Sequence, residues 1–326
     1  MNRNPDYNFA PEIWDRLVGF KVHLQELGND AKTIRQKVNY AGYYLAWLES
    51  EHLPCDQVVY NDMLCFIDHC RLEEKSKQHI NRMLSCIRNY YQYLKEQDPG
   101  ISNPALNLNL RGIHRKVPTG IIAYQSLENL YSGWPKRTAK DKRNRVILGL
   151  MIYQGITSGE LGRLEVGHVN LDKGKIRIPG TRRSNGRVLP LQPSQILELH
   201  QYLSRTRPKI MREIGKSRPA RKPDQINQER IQEQLVISIN GSEHIKSSLH
   251  FLFKEVQEKL LELLHPKQIR ASVITHWLKS YNLRQVQYMA GHKHVSSTER
   301  YQLNNLDNLQ SKLEKFHPLN QTISGY

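Results

Sequence analysis

Helical periodicity dominates the first third of the chain and constrains what it can fold into. Apolar side chains recur every three or four residues, first at Ile34, Val38, Ala41, Leu45 and Leu48 and again at Ile80, Met83, Leu84, Ile87, Tyr91 and Leu94. This spacing places them on one face of an α-helix. The segment YNDMLCFIDHC between them predicts a shorter helix, and no window alternates as a strand would. The first third is therefore predicted to be entirely helical.

Proline and glycine mark the end of this helical region. Pro99, Gly100 and Pro104 lie within KEQDPGISNPALNL, and the following RGIHRKVPTG is basic and lacks apolar periodicity. A length of 326 residues suits two domains. We predict a helical domain over 1–110, a linker over 111–121 that lies along a phosphate backbone, and a second domain over 122–318. The polar, basic stretch from about 203 to 234 is predicted to be a solvated or DNA-ordered insertion.

The second domain is predicted to combine helices with a small β-hairpin. VILGLMIYQGI predicts a buried helix that runs into GITSGEL, where Thr157 and Glu160 have the spacing of a capping box. KIRIPGTRRSNGRVLPL predicts a hairpin with Asn185-Gly186 near its turn, and helical patterns return from residue 246 to about 318. The predicted fold class is therefore mainly α with a small β-sheet.

The excess of positive charge indicates a polyanionic partner. Lys and Arg total 48 against 31 Asp and Glu, which gives a net charge of +17. A protein this basic most often binds nucleic acid. Basic side chains on the first-domain helices and in the linker are the expected phosphate contacts: Lys32, Arg35, Lys37, Lys75, Lys77, Arg82, Arg115 and Lys116.

Several other classes of protein find no support in the sequence. No stretch approaches the roughly 18–20 apolar residues of a membrane span, and the amino terminus has no apolar signal core, so we expect a cytoplasmic, DNA-associated protein without a membrane partner. No Gly-rich phosphate loop occurs, and neither the cysteines nor the pair His292 and His294 has metal-ligand spacing. We therefore expect no cofactor and no metal. Cys65 and Cys86 are predicted to be buried thiols.

The carboxy-terminal motifs are the most specific feature of the chain. In KQIRASVITHWL, Lys267 and Arg270 are three residues apart and share a helix face. In YMAGHKHVSSTERY, Gly291 and His292 are followed by Tyr301 nine residues after the histidine. With these motifs the chain resembles the tyrosine recombinases, also called phage integrases. Members of that family carry His-x-x-Arg, then Gly-His, then a nucleophilic tyrosine. They begin the same domain with Gly-Leu-Arg-x-x-Glu-Leu and follow it with a hairpin that carries a lysine.

The resemblance implies both a fold and a reaction. It implies a helical, SAM-like core-binding domain and an α+β catalytic domain that together form a clamp on double-stranded DNA. Tyr301 would attack a DNA phosphate to give a 3′-phosphotyrosyl link, with Arg270 and His292 stabilising the phosphate and no metal or nucleotide required. The resemblance also implies a tetramer on two duplexes, or a partner recombinase. Residues 302–326 would form a terminal helix and tail that dock on a neighbouring subunit.

Three family positions are changed in this sequence. Thr157 stands where the family has its first arginine, Lys267 stands at the histidine position, and Arg182 falls at or near the hairpin lysine. Arg163 is a candidate substitute for the missing arginine. Two hypotheses follow: an active site-specific recombinase of a mobile element with a rearranged set of cations, or a DNA-binding accessory protein that has lost efficient cleavage. A type IB topoisomerase is a third reading with the same chemistry.

Overall fold

The structure is a computed structural model that describes residues 9–112, 117–216, 228–242 and 244–302. The chain divides into two compact units, Met1–His114 and Arg115–Tyr326. Three predictions fall wholly or partly outside the described residues. These are the linker contacts Arg115 and Lys116, the middle of the basic stretch at 217–227, and the terminal segment at 303–326.

The first unit is a set of four helices in its described part: α1 Pro11–Glu26, α2 Ala31–Ser50, α3 Tyr60–Leu72 and α4 Lys77–Gln97. Side-chain caps fix two of the starts, since Asp30 accepts from the Thr33 N–H at 2.9 Å and Ser76 accepts from the His79 N–H at 3.3 Å. The apolar faces of the helices meet in one core, whose innermost side chains include Phe20, Leu45, Phe66, Leu84 and Ile87. The prediction of an all-helical first third is confirmed for these residues.

The prediction for the cysteines is half right. Cys86 is buried and its thiol donates to the Lys37 carbonyl at 2.9 Å, whereas Cys65 is exposed. The buried stripe of α3 runs through Met63, Phe66, Ile67 and Cys70, at helical spacing. Cys65 lies outside that stripe, so its apolar neighbours in the sequence do not cover it.

The second unit surrounds a small sheet with helices. Strands β1 Val169–Asn170, β2 Lys175–Ile178 and β3 Arg187–Pro190 form one antiparallel sheet in the order β1-β2-β3. Ile176 pairs with Leu189 and Ile178 with Arg187, so the predicted hairpin is confirmed. The α-helices of this unit are α5 Tyr124–Ser132, α6 Ala139–Tyr153, α7 Ser158–Leu161, α8 Pro193–Gln201, α9 Arg207–Lys216, α10 Gln228–Glu233, α11 Lys246–Lys259, α12 Pro266–Ser280, α13 Leu283–Ala290 and α14 Ser296–Gln302.

The basic stretch differs from the prediction at both of its ends. A π-helical turn at Tyr202–Thr206 joins α8 directly to α9, and Ile210 and Ile231 are buried in the core of the second unit. The Arg207 guanidinium donates to the Ile231 and Gln234 carbonyls at 2.9 and 2.8 Å. These ends are therefore packed helices rather than solvated chain, because Arg207 satisfies the carbonyls at the end of α10.

Two further findings concern the described residues as a whole. None of their helices combines the length and the apolar character that crossing a membrane requires. They also hold no group of three or more His, Cys, Asp or Glu side chains arranged to bind a metal ion.

Candidate active site

The turn GITSGEL begins the site at the start of α7. Thr157 caps the helix: its hydroxyl accepts from the Glu160 N–H at 3.1 Å, and its own N–H donates to Glu160 Oε2 at 2.9 Å. The hydroxyl also donates to Glu160 Oε2 at 2.9 Å. The predicted capping box is confirmed, and the Thr157 side chain is committed to it.

Glu160 and Arg187 form a buried ion pair at the base of the site. Arg187 Nη1 and Nη2 donate to the two carboxylate oxygens at 2.6 and 3.3 Å. The Arg187 side chain is 0% exposed and the Glu160 side chain is 4% exposed. Burial raises the pKa of Glu160, but the Arg187 hydrogen bonds and charge, the Thr157 N–H and the Arg270 charge together lower it to about 2. The carboxylate is therefore ionised at neutral pH and ties α7 to β3.

Arg270 joins α12 to the turns on either side of it. Its Nη1 donates to the Gly155 carbonyl and its Nη2 to the Ala290 carbonyl at 2.5 Å, while Nη1 lies 3.8 Å from Glu160 Oε2. The side chain is 14% exposed, and burial lowers its pKa. The five donors of a guanidinium allow it to hold these carbonyls and still face an anion.

Gly291 allows the hairpin to approach the end of α13. It adopts φ 66°, and its carbonyl accepts from the Asn185 N–H at 2.9 Å. A Cβ at this position would lie 2.5 Å from Arg187 Nη1 and 2.9 Å from the Asn185 carbonyl oxygen. Only glycine combines this left-handed backbone with so close a contact. The glycine therefore brings the next residue, His292, beside the Glu160–Arg187 pair.

His292 is a partly buried, neutral imidazole. Its Nδ1 lies 2.8 Å from the hydroxyl of the fully buried Thr298. Burial, followed by the charges of Arg270, Arg300 and Arg187, lowers its pKa to about 4. Because Thr298 occupies Nδ1, the Nε2 atom is the nitrogen left for another group.

Tyr301 lies on α14 beside this imidazole. Its side chain is 5% exposed, and its ring stacks on that of His292 with centroids 6.1 Å apart and planes 11° apart. The Tyr301 hydroxyl accepts from Arg300 Nη2 at 3.1 Å. Tyr301, His292 and Arg270 thus meet in one cluster, although Arg270 precedes Tyr301 by about thirty residues of sequence.

Two family models match this chain. The model of the phage integrase family matches residues 122–307, and the model of its N-terminal SAM-like domain matches residues 18–98. The chain belongs to the phage integrase family. This family of tyrosine recombinases was predicted from the motifs, and the prediction is confirmed.

Curated relatives match this chain over nearly their whole length. Tyrosine recombinase XerC of Oceanobacillus iheyensis is 24% identical over 304 residues, which cover 92% of this chain and 94% of XerC. Tyrosine recombinase XerD of Listeria innocua is 23% identical over 300 residues, which cover 90% of this chain and 95% of XerD.

Solved structures share the fold. The XerH site-specific recombinase bound to palindromic difH substrate aligns with a TM-score of 0.67 at 16% identity, over 96% of this chain and 90% of XerH. The Tn1549 transposon integrase in complex with transposon right end DNA aligns with a TM-score of 0.60 at 14% identity, over 92% of this chain and 99% of the integrase chain.

The three predicted cations Lys267, Arg182 and Arg163 are all exposed. Lys267 is exposed on the first turn of α12, and Arg182 is exposed in the hairpin turn, where nearby Ser184 pairs with His292. Arg163 is exposed and its Nη1 would lie 3.9 Å from a Cβ at Gly159. It lines a basic cavity of about 810 Å³ together with Arg230, His244, Lys246, His250 and Lys254.

Two cations of the cluster were not predicted. Arg187 occupies an inward position of β3, two residues before the buried Leu189, so a charge at an apolar position of the strand pattern was the available signal. Arg300 is adjacent to Tyr301 in the sequence, and no pattern distinguished it from a solvated helix charge.

The basic residues predicted in the first unit have different surroundings. Lys32, Arg35, Lys77 and Arg82 are exposed, and Lys37 lines a cleft between α2 and α4 together with Arg82. Lys75 is engaged within the unit, since it pairs with Glu73 and lies 4.2 Å from the centre of the Tyr43 ring. Exposure therefore distinguishes Lys32, Arg35, Lys77 and Arg82 from the engaged Lys75.

Proposed function

We propose that this recombinase breaks and rejoins double-stranded DNA at specific sites through a covalent link between Tyr301 and a DNA 3′-phosphate. The observation that carries the proposal is the stacking of Tyr301 on His292 within a cluster that also contains Arg270. The names of the relatives, tyrosine recombinases XerC and XerD, support the same reaction class.

The cleavage step forms one bond and breaks one. The Tyr301 oxygen attacks phosphorus, the bond from phosphorus to the 5′-oxygen breaks, the phenolic proton leaves and the 5′-oxygen takes up a proton. The neutral His292 suits the first proton transfer or a hydrogen bond to a non-bridging oxygen through Nε2. Arg270 suits the charge that gathers on the phosphate. No metal or nucleotide enters this step, because the phosphotyrosyl link retains the phosphodiester.

The proton for the departing 5′-oxygen requires a second group. Guanidinium groups hold their protons too tightly to act as general acids at neutral pH. Lys267 lies one turn before Arg270 on α12, so we assign it as the proton donor when DNA covers this face. Arg182 and Arg163 supply further charge, and the sequence suggested Arg163 as one candidate for the missing arginine.

The DNA contacts extend beyond the active site. The exposed first-unit cations Lys32, Arg35, Lys77 and Arg82, with Lys37 in the α2–α4 cleft, suit a phosphate backbone, and the linker residues Arg115 and Lys116 would continue the contact. These contacts position the protein on the duplex but carry no sequence information.

We extend the proposal to a mobile element as the substrate and to a tetramer on two duplexes. The fold similarity to the Tn1549 transposon integrase and to a lambda integrase dimer bound to a core site supports this extension. The segment 303–326 carries Leu306, Leu309, Leu313 and Phe316 at helical spacing, and we propose that it docks on a neighbouring subunit.

One observation favours a second function. Thr157 carries no charge and its hydroxyl is engaged with Glu160, so the turn that delivers an arginine in the family delivers none here. The alternative is a DNA-binding accessory protein that retains the fold beside an active recombinase.

Nicked suicide duplexes made from the DNA that flanks the gene separate the two functions. A recombinase forms a covalent protein–DNA adduct that is lost in Tyr301→Phe and retained in Tyr281→Phe, a matched change at an exposed tyrosine. Tight binding to these duplexes with no adduct would refute the enzyme and support the accessory protein.

A further inference from the structure

The Tyr301 hydroxyl has an unusual hydrogen-bond donor. Arg300 precedes Tyr301 on α14, and adjacent helical residues do not normally face each other. The Arg300 side chain nevertheless folds back, so that Nη2 donates to the Tyr301 oxygen at 3.1 Å and the guanidinium carbon lies 5.0 Å from the ring centre. Arg300 therefore contacts the atom that attacks phosphorus in the proposed reaction.

The Arg300 guanidinium has unused hydrogen-bonding capacity. Its Nε is buried and has no partner among the described residues. A buried donor without a partner is unfavourable and rare in native proteins. An anion bound beside the Tyr301 hydroxyl, where the Arg300 guanidinium lies, would supply the missing acceptor.

The other two cluster arginines are bound mainly within the protein, although Arg187 Nε also has no partner among the described residues. Arg187 is directed at both oxygens of Glu160, and Arg270 holds the carbonyls of Gly155 and Ala290. The Arg300 charge also acts on the other side chains of the cluster, since it contributes to lowering the pKa of both His292 and Arg270.

We propose that Arg300 is a catalytic residue that replaces the arginine missing at Thr157, and this inference rests on the proposed recombinase function. Arg300 donates to the Tyr301 oxygen while the Tyr301 hydroxyl loses its proton. The free donors of Arg300 then donate to a non-bridging oxygen of the scissile phosphate. Arg300 keeps its own proton throughout. The Tyr301–phosphorus bond forms and the phosphorus–5′-oxygen bond breaks as described above.

Single-turnover adduct formation on the suicide duplexes tests this role. Arg300→Gln is expected to react about 10²–10³-fold more slowly than wild type, which is the loss typical of removing one preorganised donor. Arg300→Lys, which keeps the charge, is expected to lose less. Arg284→Gln is the matched control, because Arg284 is exposed and its Nη1 donates to Gln287 Oε1.

Rescue distinguishes replacement of the missing arginine from a structural role. Thr157→Arg in the Arg300→Gln background is expected to raise the rate of adduct formation at least tenfold. The same change in wild type is expected to raise that rate little. The Arg300 variants must bind the duplex as wild type does, and Arg300→Lys provides the comparison if Arg300→Gln does not fold.

The outcomes separate this inference from the proposed function. Wild-type rate in Arg300→Gln, or no acceleration of Arg300→Gln by Thr157→Arg, overturns the role of Arg300 and leaves the recombinase intact. A wild-type protein that forms no Tyr301-dependent adduct overturns both.

Discussion

Replacing Arg187 with methionine is expected to destabilise the second unit strongly. The side chain is fully buried and directs two donors at Glu160, whose carboxylate is itself 4% exposed. Arg187→Met leaves this carboxylate buried, with only the Thr157 donors and Arg270 at 3.8 Å as partners. Removing one partner of a buried pair costs about 3–5 kcal/mol of unfolding free energy.

The loss is expected to depend on the partner and on pH. Two apolar side chains of similar size can replace a buried ion pair at little cost in stability. The double variant Glu160→Leu/Arg187→Met is therefore expected to lose less unfolding free energy, by at least about 2 kcal/mol, than the sum of the losses in the two single variants. Burial without Arg187 also raises the pKa of Glu160. The folded variant then binds a proton more readily than the unfolded chain, so its deficit relative to wild type is expected to shrink as the pH falls from 7 to 5.

Urea unfolding followed by tryptophan fluorescence measures these differences. Replacing Trp14 and Trp47 by phenylalanine leaves Trp134 and Trp277, both in the second unit, as the reporters. The exposed pair Lys209–Glu213 supplies the control, and Lys209→Met is expected to stay within about 0.5 kcal/mol of its background. A loss below about 1 kcal/mol in Arg187→Met would refute the reasoning.

Four further outcomes follow from the structure. Gly291→Ala is expected to lose adduct formation and to unfold more readily, because its Cβ would meet Arg187 at 2.5 Å; wild-type behaviour in both assays would contradict this. The pKa of His292 is about 4, so wild type is expected to lose up to about 3 kcal/mol of stability as the pH falls from 6.5 to 4, and pH-dependent urea titrations should find a smaller loss in His292→Gln. Arg35→Gln is expected to weaken binding to all duplexes and to reduce the salt slope of log K by about 0.9, whereas an unchanged slope would remove Arg35 from the interface. Deleting residues 303–326 is expected to weaken synapsis in a two-duplex gel assay while sparing binding to one site, and unchanged synapsis would rule out docking of this segment.

Local patterns in the sequence predicted much of the fold and part of the site. The helical faces of α2 and α4, the capping box at Thr157 and the hairpin each depend on neighbours within a few residues, so their spacing is visible in the chain. Tyr301 and His292 are nine residues apart, and the family motif links them to Arg270. The structure brings these three together.

Contacts between distant segments could not be predicted in this way. The sequence alone does not show that Arg187 pairs with Glu160, because only folding brings the two together. The exposure of Cys65 likewise depends on which side of α3 meets the core. The packed ends of the basic stretch depend on Arg207 reaching the carbonyls at the end of α10. Arg300 could not be identified from the sequence, because its contact with the Tyr301 hydroxyl depends on how its side chain folds back.

Mapping the covalent link by mass spectrometry tests the central claim most directly. Wild-type protein is trapped on a suicide duplex from its own flanking DNA, the adduct is digested with protease and nuclease, and the modified peptide is sequenced. The account predicts a nucleotide joined through its 3′-phosphate to Tyr301, and no such peptide from Tyr301→Phe. A nucleotide on another residue, or tight binding with no modified peptide, would contradict it.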